Sequence, residues 1–137
     1  MMIIENQREE QILKLAFEQQ GIKIIPAKPT YQYYVMAQQY VPDLVILELP
    51  HICIERCHFT SLLRKNKRTK NLPVIAYGNP IDPMILKTAL LSGINNFLER
   101  PLKFTNLLKL VDTHLKKKQT KRYLLMIQNP SLKPMSN

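Results

Sequence analysis

Tryptophan is absent, and the 137 residues include only three glycines and two cysteines. So few glycines leave no glycine-rich loop able to cradle a phosphate. Cys53 and Cys57 are too few for a disulfide framework. Four positions apart on a helical pattern, they would bridge only in awkward geometry, so both are read as reduced thiols. His51, Cys53, Cys57 and His58 in "HICIERCH" match no recognised zinc spacing, and neither a metal nor a cofactor is expected. Ser61 and Ser92 lie on helical patterns with no nucleophile motif around them, so no catalytic activity is expected. No run of about 18 apolar residues occurs. The start "MMIIENQREE" lacks the basic flank of a secretory signal, and the expectation is a cytoplasmic protein with no membrane attachment.

Acidic residues are scarce in the second part of the chain. Residues 1–60 carry 5 basic and 7 acidic side chains, whereas residues 61–137 carry 15 basic and 3 acidic, which accounts for the formal net charge of +10. Two clusters hold much of the excess: "RKNKRTK", with Arg64, Lys65, Lys67 and Arg68, and "KKKQTKR", with Lys116, Lys117 and Lys118. Such clusters attract phosphate-rich partners. No stacking aromatics are interleaved with them, so solvated surface is the favoured reading and a nucleic-acid partner the less favoured one.

What the chain does have is a regular switching of apolar period. Met2–Glu5 reads as a short strand, then Glu9–Gln20 as a helix with the stripe Ile12, Leu15, Ala16, Gln19, stopped by Gly21. "IKIIPA" is the next strand. Thr30 can cap a helix over "YQYYVMAQQY", and Leu44–Glu48 is a strand continuous in aliphatics, as expected when both faces are covered. A helix over Ile54–Lys65, the strand "PVIAY", a helix over "PMILKTALL" closed by Gly93, the strand "NNFLE" and a helix over Phe104–Lys117 complete the series. Strands joined by helices of about a dozen residues pair in parallel, with right-handed crossovers and helices on both faces. The fold class is therefore α/β, a doubly wound five-stranded parallel sheet built from residues 1–117, followed by a basic C-terminal extension over 118–137. No internal repeat stands out. In such sheets function sits beyond the carboxyl ends of the strands, which places Glu48 at the mouth of the central crevice.

"PDLVILELP", "LPVIAYGNP" and "LSGINNFLERPL", in this order and spacing, resemble the signatures of bacterial response-regulator receiver domains, which have this flavodoxin-like fold. The resemblance implies a role in two-component phosphorelay signal transduction. It also implies an aspartate that accepts a phosphoryl group, an acidic pair that binds magnesium, a Thr or Ser, and a Lys-Pro pair. The phosphoacceptor position is Glu48, the hydroxyl position Gly78 and the lysine position Arg100, with Pro101 kept and Phe97 at the aromatic switch position. The acidic pair falls on Glu5 and Asn6 with one gap, or on Ile4 and Glu5 without it, so one acid remains either way.

These departures have physical consequences. Magnesium prefers an octahedral shell of hard oxygens, and losing one carboxylate weakens it. Glutamate sets its carboxylate roughly 1.5 Å further out than aspartate, and a misplacement of about 1 Å can cost on the order of 100-fold in an in-line transfer. Gly78 offers no hydroxyl to a phosphoryl oxygen. Arg100 keeps the positive charge on a planar fork suited to a carboxylate, so Arg100 is expected to turn toward Glu48. The expectation is a pseudo-receiver. Glu48 could imitate a phosphorylated aspartate, but without a hydroxyl at position 78 the inert reading is preferred.

The segment "MILKTALL" is apolar on nearly every side, with Lys87 its one charge. A surface helix should show a polar face, so Met84 and Leu91 are expected at a contact with a protein partner or a second copy, through this helix and Phe104–Lys117. The tail segment "YLLMI" could extend the last helix, fold back on Pro83–Leu91, or begin a separate output segment. Two functions follow: a phosphorylation-independent protein interaction module, or a basic adaptor for nucleic acid or another polyanion.

Overall fold

The computed structural model describes residues 2–27, 33–115 and 122–128. Its elements run α1 (Met2–Gln19), β1 (Ile22–Ala27), α2 (Tyr33–Tyr40), β2 (Leu44–Glu48), α3 (Ile54–Lys65), β3 (Val74–Gly78), α4 (Pro83–Leu91), β4 (Asn96–Glu99), α5 (Phe104–Leu115) and β5 (Arg122–Ile127). All five strands form one parallel sheet in the order β1-β5-β2-β3-β4. The expected doubly wound α/β fold is present.

The continuous aliphatics of β2 and β3 are buried at every position because both sheet faces are covered. Alternate side chains divide two cores. Val45, Leu47, Val74, Ala76, Leu125 and Ile127 pack with α2, α3 and α4. Leu44, Ile46, Ile75, Tyr77, Leu124 and Met126 pack with α1 and α5, where Phe17 and Phe104 meet edge to face with centroids 5.2 Å apart. This alternation is the two-residue period of a strand acting on two helix layers.

Two expectations are corrected. Met2–Glu5 is no strand but the first part of α1. The sheet's central slot is filled by Arg122–Ile127, from the segment expected to lie beyond the domain; it pairs with β1 from Ile22↔Arg122 to Ala27↔Ile127 and with β2 from Leu44↔Leu124 to Leu47↔Ile127. A flavodoxin-like sheet has the order 2-1-3-4-5, and here the last strand occupies the place of the first. The expected stripe of α1 is also displaced. Ile12 and Leu15 are 61% exposed each, while Leu13 and Phe17, four apart, face the core.

α4 begins with a side-chain cap, Asp82 Oδ1 accepting from the Met84 amide at 2.7 Å, with Pro83 in the first turn. Only Ala89 of this helix is buried. Thr30, the expected cap of α2, lies outside the described residues, as do Lys116, Lys117 and Lys118.

Candidate functional site: the pocket at the carboxyl ends of the central strands

Glu48 ends β2 with its side chain 6% exposed, and Arg100 follows β4 at 21%. The guanidinium reaches across β3 and donates from Nη2 to Glu48 Oε2 at 2.5 Å. It also grips Glu9 of α1 in a two-point contact, Nε to Oε2 at 3.0 Å and Nη2 to Oε1 at 2.7 Å. Its Nη1 donates to Asn79 Oδ1 at 3.4 Å, and its plane lies over the Tyr77 ring with Cζ 5.4 Å from the centroid. The hydrogen bond to Glu9 is the largest cause that raises the Arg100 pKa, against a desolvation that lowers it, with Glu48 adding to the rise. Burial and then the Glu48 charge push the Tyr77 phenol up as well. Two carboxylates on one guanidinium form a closed ion-pair cluster at the mouth of the crevice.

The next layer is held by Arg56 of α3, which is almost fully buried. Its Nε donates to the Glu48 carbonyl at 3.1 Å and its Nη2 to the Gln128 carbonyl at 3.3 Å, while Cζ sits 4.9 Å above the Tyr33 ring. Gln128 Nε2 in turn donates to the Tyr77 hydroxyl at 3.1 Å. Gln128 therefore stands at the strand end level with Glu48. Glu5 and Asn6, expected there, are helical residues of α1.

Gly78 has a steric reason to be glycine. A Cβ at this position would lie 2.8 Å from the Leu49 carbonyl oxygen, so a serine or threonine could not stand here without moving the β2 exit. Pro101 follows Arg100 through a cis peptide bond. Phe97 is half-buried against the core on the α4 side.

The residues present do not fit magnesium. Glu48 and Glu9 are both bonded to Arg100, and among the described residues no three His, Cys, Asp or Glu side chains are gathered to hold a metal. Cys53 and Cys57 are free thiols with their sulfurs 3.6 Å apart, and burial first, then the Cys53 thiol, pushes Cys57 up to about 11.

The basic patch is divided by the structure. Arg64 is a structural hub rather than a surface charge: Nη2 donates to Gly93 O at 2.7 Å and Nη1 to Leu72 O at 2.7 Å, with Asn95 Oδ1 3.1 Å away. Burial lowers its pKa. Lys65, Lys67 and Arg68 are exposed. Met84 and Leu91 on α4 are exposed at 71% and 79%.

Glu9 and Arg56 were missed in the sequence. Glu9 acts across 91 positions, and a single acid on a helix carries no signal of that reach. Arg56 had a weak one, a basic residue in an otherwise apolar helix face. A groove of about 590 Å³ opens beside Arg100, lined by Arg8, Glu9, Ile12, Leu13, Leu102 and Phe104 among others. No described helix is long and apolar enough to cross a membrane.

No family profile matches the chain. Response regulator PleD of Caulobacter vibrioides is 35% identical over 82 residues, which is 60% of this chain and 18% of that protein; the chain thus spans less than a fifth of this relative. The signal receiver domain of a signal transduction histidine kinase from Syntrophus aciditrophicus superposes with a TM-score of 0.67 at 21% identity, covering 82% of this chain and 86% of that one. A two-component response regulator from Clostridium difficile gives a TM-score of 0.65 at 21% identity, covering 81% and 89%. The chain therefore has the fold of a response-regulator receiver domain, with its C-terminal strand in the central slot of the sheet.

Proposed function

We propose that this receiver-like domain is a pseudo-receiver of two-component signalling: a non-catalytic module that docks a protein partner or a second copy through α4 and α5 without being phosphorylated. The observation that carries the reading is the Glu48–Arg100–Glu9 cluster. The carboxylate at the phosphoacceptor position is already bonded to an internal cation, which is itself held by a second acid. A phosphoryl donor would have to break a nearly buried charge pair to reach Glu48, and among the described residues no cluster of metal ligands offsets the added negative charge. The crowding at Gly78 adds to this, because a hydroxyl relay has no room there.

Docking through α4 is supported by its exposed Met84, Ile85, Leu90 and Leu91, of which Met84 and Leu91, seven positions apart, share one side of the helix, and exposed apolar side chains gathered on one element are a mark of an interaction surface. The polyanion reading is weakened by Arg64, whose donors are committed to backbone carbonyls. Intact-mass measurement after incubation with acetyl phosphate and magnesium tests the reading: the expected result is an unchanged mass, and a phosphoryl adduct mapped to Glu48 would overturn it. Titration with duplex DNA at two salt concentrations separates the two functions, because phosphate contacts give a steep salt dependence and protein docking gives none.

A further inference from the structure

The groove beside Arg100 has two walls, and both change from charged to apolar in the same direction. Along α1 the lining goes from Arg8 and Glu9 to Ile12 and Leu13 one turn later; after β4 it goes from Arg100 to Leu102 and Phe104. The walls are held in register at both ends. Arg100 donates from Nη2 to Glu9 Oε1 at 2.7 Å, and Phe104 meets Phe17, further along α1, with ring centroids 5.2 Å apart. One end of the groove is therefore charged and the other apolar. We infer that it is a binding site for a small amphipathic carboxylate, whose head group pairs with Arg8 and whose hydrocarbon body lies against Ile12, Leu102 and Phe104.

The sign of the head group follows from which charges are already engaged. Both carboxylate oxygens of Glu9 accept from Arg100, and Arg100 has a further carboxylate partner in Glu48, which does not line the groove. Arg8 is the guanidinium left over: it is exposed and forms no hydrogen bond or ion pair among the described residues. Its planar fork of donors matches a carboxylate at two points. A cationic head group would face two guanidinium groups, with only the already bonded Glu9 to receive it.

The body of the ligand follows from the apolar end. Leu13 is buried and Leu102 and Phe104 are half-buried against the core, whereas Ile12 is 61% exposed. The lining thus has a firm floor and an open apolar rim, and covering that rim removes hydrocarbon from water on both partners. A volume of about 590 Å³ suits a small molecule, and an apolar lining with a few polar groups at one end is the usual make-up of such a site. A bound ligand would also cover the Arg100–Glu9 pair, and an ion pair withdrawn from water is strengthened.

The test uses the full chain and sodium decanoate, kept below the concentration at which it forms micelles, with binding followed by amide chemical shifts. Saturable shifts are expected at Arg8 to Leu13 and at Leu102 to Phe104, and none with decylammonium at the same concentrations. Arg8→Gln should weaken decanoate binding by about 10-fold or more through loss of a hydrogen bond to a charged group, and Arg8→Lys should recover part of it. Ile12→Asp should weaken binding as strongly. Both positions are exposed, and thermal melting of each variant verifies that the fold is kept. The proposal is overturned by an absence of saturable shifts in the wild type, by equal affinity for decylammonium, or by decanoate binding that neither variant changes. Self-association that Ile12→Asp abolishes and decanoate leaves untouched would assign the groove to a second copy of the chain and overturn it as well.

Discussion

Arg100 is the residue on which the pocket turns. Its removal leaves Glu48, with its side chain 6% exposed, and Glu9, at 22%, without their cation. Arg100→Ala is expected to destabilise by about 2 to 4 kcal/mol, above a surface pair and at the lower edge of a fully buried one, because the crevice is partly wet. Arg100→Lys should recover part of this, since an ammonium cannot hold Glu9 at two points while reaching Glu48; urea unfolding of both variants checks the order. Gly78→Ser should cost about 1 to 3 kcal/mol through the clash with Leu49 O rather than restore a hydroxyl relay, which the same measurement decides. Cys57 supplies a pH dependence. Its folded pKa of about 11 lies above the ordinary 9.0, so the protonated thiol contributes stability that is complete below pH 9 and lost as pH rises through 11. At pH 8, iodoacetamide should alkylate Cys57 about 100-fold more slowly than a free cysteine, in step with the smaller thiolate fraction; a rate matching free cysteine would contradict the burial that holds the thiol protonated.

At the scale of elements, α4 carries the clearest prediction. Met84→Glu with Leu91→Glu should alter stability by no more than about 0.5 kcal/mol, since neither side chain packs in the core. Sedimentation should show the variant monomeric under conditions where the wild type associates; a wild type that stays monomeric at high concentration and binds no partner through this face would remove the docking role. Much of the element series could be read from the sequence, because Leu44–Leu47 and Val74–Ala76 are continuous aliphatic runs and the helices after them show their stops. The first strand could not. Met2–Ile4 and Leu124–Ile127 have the same local character, so neither propensity nor pattern can rank them, and the choice rests on which segment the rest of the fold holds at its ends. The pocket was legible to the extent that strand ends converge, which brought Glu48 to Arg100. Glu9, Arg56 and the crowding at Gly78 depend on approaches between distant parts of the chain that no local pattern encodes.

For the whole molecule, the position of β5 sets the order in which structure can be completed. β1 touches the rest of the sheet only through β5, and their pairing begins at Ile22↔Arg122, a separation of 100 residues. The pairings among β2, β3 and β4 close much shorter loops. Contacts that close long loops form late, because the entropy of closure is lost before the contact can compensate for it. Pulse-labelled hydrogen exchange during refolding should therefore find the amides of β2 and β3 protected first, with β1 and β5 gaining protection together in a later phase. On the ribosome the same constraint becomes a clock: the stretch from Ile22 to Arg122 must emerge before β1 acquires the neighbour that fixes it in this arrangement.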